Sequence, residues 1–299
     1  MDWLKRFARG CLDGKCRIAL STVIALGVAV PSLPTNAVYA ATAKSRSGFS
    51  SRVAINAKSA IVLDAETGRV ISSKRAEEPR YPASTTKLMT AILLVTYLKP
   101  GDSVYISRSA AQQPKVRLGL QAGTTISADE ALHAILMKSA NDVAYAIAET
   151  VGGSQQGFAR MMNLKARLIG CHETNFVTPN GLHDDEHMAS AHDIARILAE
   201  AIKHPEIVRV MQTPNYVVHG LSIRNGNRLI YAGTGSFGEI IGGKTGYTSK
   251  AMYCLAFAAR QRGHVRISVV LGAPRKSAMY RETRRLLEFA YRNKDVILV

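Results

Sequence analysis

Acidic residues are scarce in this sequence: 22 Asp and Glu stand against 39 Lys and Arg, a formal charge of +17 over 299 residues. Such an excess points to nucleic acid, an anionic membrane face or an acidic polymer. Yet the body of the chain has no long Lys/Arg block, no RNP motif and no zinc-finger spacing. A solvated basic surface is therefore the simpler reading, and no nucleic-acid partner is expected. Internal repeats and low-complexity tracts are missing as well. With 47% hydrophobic residues the chain has enough apolar surface for a sizeable core, which excludes global disorder. Cysteine is sparse, at four residues, and Cys11 and Cys16 fall in the N-terminal segment. For Cys171 and Cys254 a disulfide is permitted but not demanded. Cys254, inside AMYCLAFAA, reads as a small buried hydrophobe. The apolar run at residues 18–30, IALSTVIALGVAV, is shorter than the roughly 18–20 residues that span a bilayer. It follows Lys5, Arg6, Arg9, Lys15 and Arg17 and precedes PSLPTNAVYA, where Val38 and Ala40 are small. Residues 1–40 thus read as a secretory signal cut after Ala40, with an uncleaved anchor as the alternative.

Beyond a polar leader over residues 41–55, SAIVLDAETGRVISSKR (59–75) reads as a hairpin about Glu66-Thr67-Gly68. Pro82 and Ala83 then lead to Ser84. From Thr85 the apolar residues Leu88, Met89, Ala91, Ile92, Leu93, Val95 and Leu98 cover most of a helix, which predicts a helix buried at the centre of a domain. Residues 127–150 read as helical on both sides of Lys138-Ser139-Ala140-Asn141, with Ser127 and Glu130 forming a capping box. GFARMMNLKARLIG (157–170) resumes the helical pattern. A loop covers residues 175–192, and Ser190 with Asp193 reopens a helix. The final third reads as two strands, one from IIGGKTG through AFAARQRG and one over HVRISVVLGAP. An amphipathic helix, SAMYRETRRLLEFAYRN, closes the chain. Strands at both ends and helices between them predict an α/β (α+β) domain. Its central antiparallel sheet is built from N- and C-terminal segments and carries a mostly helical insertion.

Three short elements carry chemistry: Ser84-Thr85-Thr86-Lys87, Ser139-Ala140-Asn141 and Lys244-Thr245-Gly246. Ser84 and Lys87 lie one turn apart on one helix face. A serine hydroxyl becomes a nucleophile when a base takes its proton. A lysine serves as that base once burial or neighbouring positive charge lowers its pKa. Ser139 offers a hydroxyl able to relay a proton. Asn141 offers an amide for Lys87 or for a substrate carbonyl. The i, i+2 spacing of these two requires a turn between helices. On a strand, Lys244 and Gly246 share a face. Lys244 and the Thr245 hydroxyl suit a substrate carboxylate, and Gly246 leaves room for a ligand against the strand. The backbone N–H groups of Ser84 and Tyr247 are the natural oxyanion donors. Read singly, each element has a plainer account as a cap, a turn or a surface lysine. Together, in this order, they match the set used by penicillin-binding proteins and class A β-lactamases.

With LDAETGRVI, YPASTTKLMTA, KSANDVAYAIAE, TPNGLHDDEHMASAHDIA and GGKTGYTSKAMYCLA, the chain resembles the low-molecular-mass penicillin-binding proteins. These are serine-type D-alanyl-D-alanine carboxypeptidases of peptidase family S11. The resemblance runs from about Ser59 to about Tyr291. It implies a β-lactamase/transpeptidase-like fold and one catalytic domain over residues 56–299. It also implies that Ser84 forms an acyl-enzyme with peptidoglycan pentapeptide, and that β-lactams inhibit covalently. Neither a metal nor an organic cofactor is implied. Relatives with a C-terminal β-domain and membrane anchor extend further, so neither is expected here, and an exported, periplasmic or secreted protein is. Position 247 departs from some relatives, which carry His after K-T-G. D,D-endopeptidase activity, a β-lactamase and a non-catalytic wall-binding protein remain the alternatives. Against a β-lactamase, the residue four beyond Glu173 is Val177, where the E-x-x-x-N pattern requires Asn. The cluster His183, Asp184, Asp185, Glu186, His187 and His192 has metal-ligand chemistry but lacks the H-E-x-x-H spacing, so a polar loop walling the cleft is expected there.

Overall fold

The computed structural model describes residues 53–233 and 237–293. The signal read over residues 1–40 and most of the leader lie outside them. Val53 and Ile55, at the end of the expected leader, pack against the core, and Lys74 Nζ donates to the carbonyl of Ile55 (2.7 Å).

The predicted hairpin forms as β1 (Ser59–Asp64) and β2 (Val70–Lys74). All six residues of β1 are buried, as a strand covered on both faces requires. The C-terminal segments supply β7 (Glu239–Thr248), β8 (Met252–Gln261) and β9 (His264–Ala273). One antiparallel sheet results, in the order β2-β1-β9-β8-β7, so the two ends of the chain meet along β1 and β9. The region read as a single strand over residues 240–261 is in fact β7 and β8, paired as a hairpin. Its turn lacks the usual glycine or asparagine. Instead Thr248 Oγ1 accepts from the N–H of Ala251 (3.0 Å), and Met252 takes a positive φ of 61°.

The helical lobe fills the interval between these segments. A 3₁₀ turn, Ala83–Thr86, leads into α1 (Lys87–Tyr97), whose residues from Lys87 through Leu94 are all buried. Lys99-Pro100-Gly101 follows it, and Leu98 is already extended. A short pair, β3 (Ser103–Tyr105) with β4 (Thr125–Ser127), flanks α2 (Arg108–Ala111). The Ser127–Glu130 capping box opens α3 (Ala128–His133), which widens into a π turn, Ala134–Lys138. Next come α4 (Asn141–Gly152), α5 (Gln155–Leu168) and α6 (Ala191–Ala201), the last capped by Ser190 as read.

The sequence reading overlooked α7 (Pro205–Gln212) and the hairpin β5 (Asn215–Val218) with β6 (Leu221–Arg224). Both had local signals. Pro205 stands in the first turn of α7, where its missing N–H costs nothing. His219-Gly220 has two positive φ values, 46° and 77°, as a tight hairpin turn demands.

The closing helix, α8 (Lys276–Arg292), packs on the sheet face opposite the lobe. Two apolar clusters result. The larger joins the lobe to one face through residues such as Ile61, Leu88, Ile92 and Val269. The smaller joins Met279, Leu286 and Leu287 of α8 to Val62, Leu255 and Phe257 on the other face.

Candidate active site

Three elements remote in sequence meet at the β7 edge of the sheet. Ser84 lies in the 3₁₀ turn, where residues i and i+3 eclipse, so its side chain stands beside that of Lys87. Lys87 Nζ donates to Ser84 Oγ (3.2 Å), Asn141 Oδ1 (2.8 Å) and the carbonyl of Asn180 (2.7 Å). Lys244 Nζ donates to Ser139 Oγ (3.0 Å) and to the carbonyl of Thr245 (2.8 Å). Each buried ammonium thus holds a serine hydroxyl, and neither has a carboxylate within ion-pair distance among the described residues.

The break between α3 and α4 explains how Ser139 and Asn141 both arrive. The π turn ends with Ser139 in the left-handed region (φ 66°), and the chain re-enters a helix at Asn141. That local twist reconciles the i, i+2 spacing with a shared destination. Of the two partners open to the Asn141 amide, the oxygen takes Lys87, while Nδ2 donates to the carbonyl of Pro114 (3.1 Å). Of the two roles expected for Asn141, the one seen in the structure is the bond to Lys87.

Burial acts on both lysines. Lys87 is 0% exposed and Lys244 1%. Loss of solvation pushes the Lys87 amine well below its ordinary range, and the charge of Lys244 adds to this, with Asp142 opposing. Burial lowers Lys244 from 10.5 to about 7. The free-amine form of Lys87 that a general base requires is therefore favoured by its surroundings.

Gly246 also allows a close approach of two backbone segments. A Cβ there would lie 2.9 Å from the backbone N of Ser84 and 3.1 Å from Cβ of Ala83. The side of β7 toward which a Cβ would point is thus filled by the 3₁₀ turn that carries Ser84, while Gly246 itself also lines the open cleft. Thr245 lines the open cleft with Ser84, Ser139 and Tyr247, a volume of about 270 Å³. The hydroxyl of Thr245 has no internal partner among the described residues. Tyr247 is exposed, its ring tilted against Tyr253 at 4.5 Å between centroids.

The sequence reading missed three supports. Asn180 contributes a backbone carbonyl, which no side-chain pattern reveals. Its turn is brought close by Gly181 (φ 77°), where a Cβ would lie 1.9 Å from the carbonyl oxygen of Ala83. His187 pins the same loop. Its Nδ1 accepts from the N–H groups of Val177 (2.9 Å) and Thr178 (3.1 Å), so Nε2 carries the proton and donates to Thr86 Oγ1 (2.9 Å). Burial first, then the charge of Lys87, pushes His187 down to about 4, against the pull of Asp184. Asp142, fully buried, accepts from the N–H groups of Leu118 (2.9 Å) and Gly119 (2.8 Å) and anchors the loop over the cleft.

The histidine-rich loop does not converge on a point. His187 is used as described, His192 Nδ1 meets Glu77 (2.6 Å), and His183 Nε2 meets Asp185 (3.3 Å). Among the described residues no group of three or more His, Cys, Asp or Glu is placed to hold a metal. Glu173 is exposed, its N–H bonded to Asp193, and it does not line the cleft. Cys171 and Cys254 are both buried and free.

Residues 43–275 match the family model of peptidase S11, described as D-alanyl-D-alanine carboxypeptidase. D-alanyl-D-alanine carboxypeptidase DacF of Bacillus subtilis is 34% identical over 251 residues, 81% of this chain and 64% of the relative. The chain thus spans just under two thirds of that protein's length. A D-alanyl-D-alanine endopeptidase of Pseudomonas aeruginosa is 30% identical and is matched more fully, over 85% of this chain and 84% of the relative. Among solved structures, penicillin-binding protein 5 of Haemophilus influenzae superposes with a TM-score of 0.76 at 29% identity, covering 80% of this chain and 72% of its own. The β-lactamase/transpeptidase-like sheet, the three motifs meeting at its edge and a family match across most of the sequence agree, and the chain belongs to the S11 family of serine D-alanyl-D-alanine carboxypeptidases.

Proposed function

We propose that the protein is a D-alanyl-D-alanine carboxypeptidase that trims the terminal D-Ala from peptidoglycan stem peptides. The observation that carries the reading is the pair of buried lysines, each bonded to a serine hydroxyl and, among the described residues, lacking a carboxylate partner. Lys87, as the free amine, takes the proton of Ser84 Oγ. The oxygen attacks the carbonyl carbon of the D-Ala-D-Ala bond. The backbone N–H groups of Ser84 and Tyr247 receive the oxyanion, a contribution of roughly 3–4 kcal/mol per donor. The C–N bond breaks, and the departing amine receives a proton relayed from Lys87 through the Ser139 hydroxyl. Water then attacks the ester, the trimmed peptide leaves as a carboxylic acid, and Ser84 regains its proton. Lys244 and the Thr245 hydroxyl receive the carboxylate of the terminal D-Ala. A β-lactam enters the same path, but its ring amine stays tethered to the acyl group, so the ester persists. The chemistry requires no metal or organic cofactor. It takes place outside the cytoplasm, in keeping with the signal read over residues 1–40.

Labelling with fluorescent penicillin tests the acyl-enzyme: the native chain becomes covalently tagged, and Ser84→Ala does not. Release of D-Ala from a pentapeptide tests the reaction, and its failure with intact labelling would reject the carboxypeptidase reading. The extensive match to the Pseudomonas endopeptidase favours a second reading with the same residues, cleavage of D,D-cross-links. A cross-linked muropeptide separates the two.

A further inference from the structure

The catalytic cleft leaves the basic excess of the chain unused, and α8 concentrates part of it. That helix carries Lys276, Arg281, Arg284, Arg285 and Arg292 against Glu282 and Glu288. Glu282 does not offset the outer face. It is fully buried, and its carboxylate accepts from the N–H groups of Asn56 (3.1 Å) and Ala57 (3.0 Å). Arg281, Arg284 and Arg285 fall at i, i+3 and i+4 and so share one exposed face. Arg228, from the 3₁₀ turn Arg228–Tyr231, approaches the same face. Together with Tyr280 these four arginines line a groove of about 440 Å³, which Glu288 also borders. Among the described residues, Arg228, Arg281 and Arg285 have no carboxylate within ion-pair distance. Arg284 lies over the ring of Phe237, 5.6 Å from its centroid.

The groove and the catalytic cleft share a wall. Lys276 and Met279 of α8 line the cleft, while Ser277 and Tyr280 line the groove. Tyr280 Oη ties the wall together. It accepts from the N–H of Arg228 (3.1 Å) and donates to the carbonyl of Gly226 (3.3 Å), itself a cleft residue.

We propose that this arginine groove is an extension of the substrate site, binding the free carboxylates of the wall polymer whose peptide enters the cleft. The inference rests on the peptidase reading above. Guanidinium forks match planar carboxylates with paired hydrogen bonds, and four converging forks suit a chain bearing several of them. Phosphate esters share that chemistry, but the neighbouring cleft accepts a peptide, and wall stem peptides carry carboxylates along their length. A lipid surface fits poorly. The apolar side of α8, including Met279, Leu286 and Leu287, is buried on the sheet, and α8 has no large exposed hydrophobic residue to insert. The groove adds affinity for long acidic substrate and leaves the bond-breaking step untouched.

A titration with the full chain carrying Ser84→Ala, which halts turnover, tests this without reference to activity. The probes are wall glycan fragments with free stem-peptide carboxylates, the same fragments amidated, and a phosphodiester polymer. Arg281→Glu with Arg285→Glu, both exposed, should weaken binding of the acidic fragments by roughly tenfold or more and flatten its salt dependence. Amidation of the fragments should weaken binding to the native groove to a similar degree. Unchanged affinity in the double variant, equal binding of amidated fragments, or preference for the phosphodiester polymer would each overturn the proposal. In the active chain the same two substitutions should raise KM for acidic fragments with kcat unchanged. They should leave kcat/KM for a short acyl-D-Ala-D-Ala peptide lacking other carboxylates as it was. If the native chain releases no D-Ala from that short peptide, the peptidase reading fails, while the titration still decides the groove.

Discussion

The two faces of the central sheet bury cations in opposite ways. On the α8 side Arg266 of β9 is 3% exposed, pairs directly with Asp64 of β1 and lies 6.0 Å from the ring centroid of Tyr291. Burial alone would raise Asp64. Hydrogen bonding from Thr67 and the charge of Arg266 outweigh it and hold the carboxylate below its usual range. The carboxylate stays ionised, and the pair joins two strands. On the lobe side Lys87 and Lys244 are buried as deeply, but their partners are hydroxyls, an amide and carbonyls. Neutral acceptors satisfy the geometry of an ammonium without cancelling its desolvation cost, so the amine form gains. A buried cation given a counter-ion remains a fixed charge. One denied it becomes a base.

Making Lys87 permanently charged should break this contrast most severely. Lys87→Arg places a guanidinium that does not deprotonate where a base is required. Acylation by fluorescent penicillin should slow by about 10²–10⁴-fold, the usual worth of a general base.

The reverse operation belongs on the other face. Asp64→Ala strands Arg266, and urea unfolding should show a loss of about 3–5 kcal/mol. The acylation rate of the folded fraction should not change, because Asp64 is not among the residues lining the cleft. A slowed acylation would mean that the two faces are coupled.

Lys244→Met sharpens the comparison through pH. The positive charge of Lys244 helps depress Lys87, so its removal raises the Lys87 pKa, and the acid limb of the acylation profile should move to higher pH. Stability should respond as well. The unfolded chain binds a proton at Lys244 up to pH 10.5 and the folded chain only up to about 7, so the lysine favours folding progressively as pH rises across that window. Unfolding free energies measured from pH 7 to 10 should rise less steeply in the variant.

The smallest effect is expected away from both buried sites. Ser127→Ala removes the cap of α3, whose hydroxyl accepts from the N–H of Glu130 (3.2 Å). Thermal or urea unfolding should report a loss of about 1 kcal/mol, additive with Asp64→Ala.

Legibility from sequence followed the range of the interactions. The hairpin of β1 and β2, the capping box at Ser127 and the Ser190 cap rest on neighbours within a few residues, and all were readable. The turn between β7 and β8 was not, because Thr248 and Ala251 make it without a glycine or proline signal. The names Ser84, Lys87, Ser139 and Lys244 were readable as motifs. The tie from Lys87 to the Asn180 carbonyl was hidden, since every residue but proline offers the same backbone oxygen and donor. Gly246 was readable for its lack of a side chain, but its close approach to the turn carrying Ser84 was not, because that neighbour is far away in sequence.

By itself the sequence determined which chemical groups exist and the local order in which they are presented: a hydroxyl three residues before an amine, a second hydroxyl at a helix break, a second amine on a strand. Only the tertiary structure decided that both amines lie out of reach of water with no carboxylate beside them among the described residues. That outcome depends on Ser139 with Asn141, Asn180 and Gly246 arriving from three separate segments. Desolvation is a property of everything surrounding an atom, and no short stretch of chain contains it.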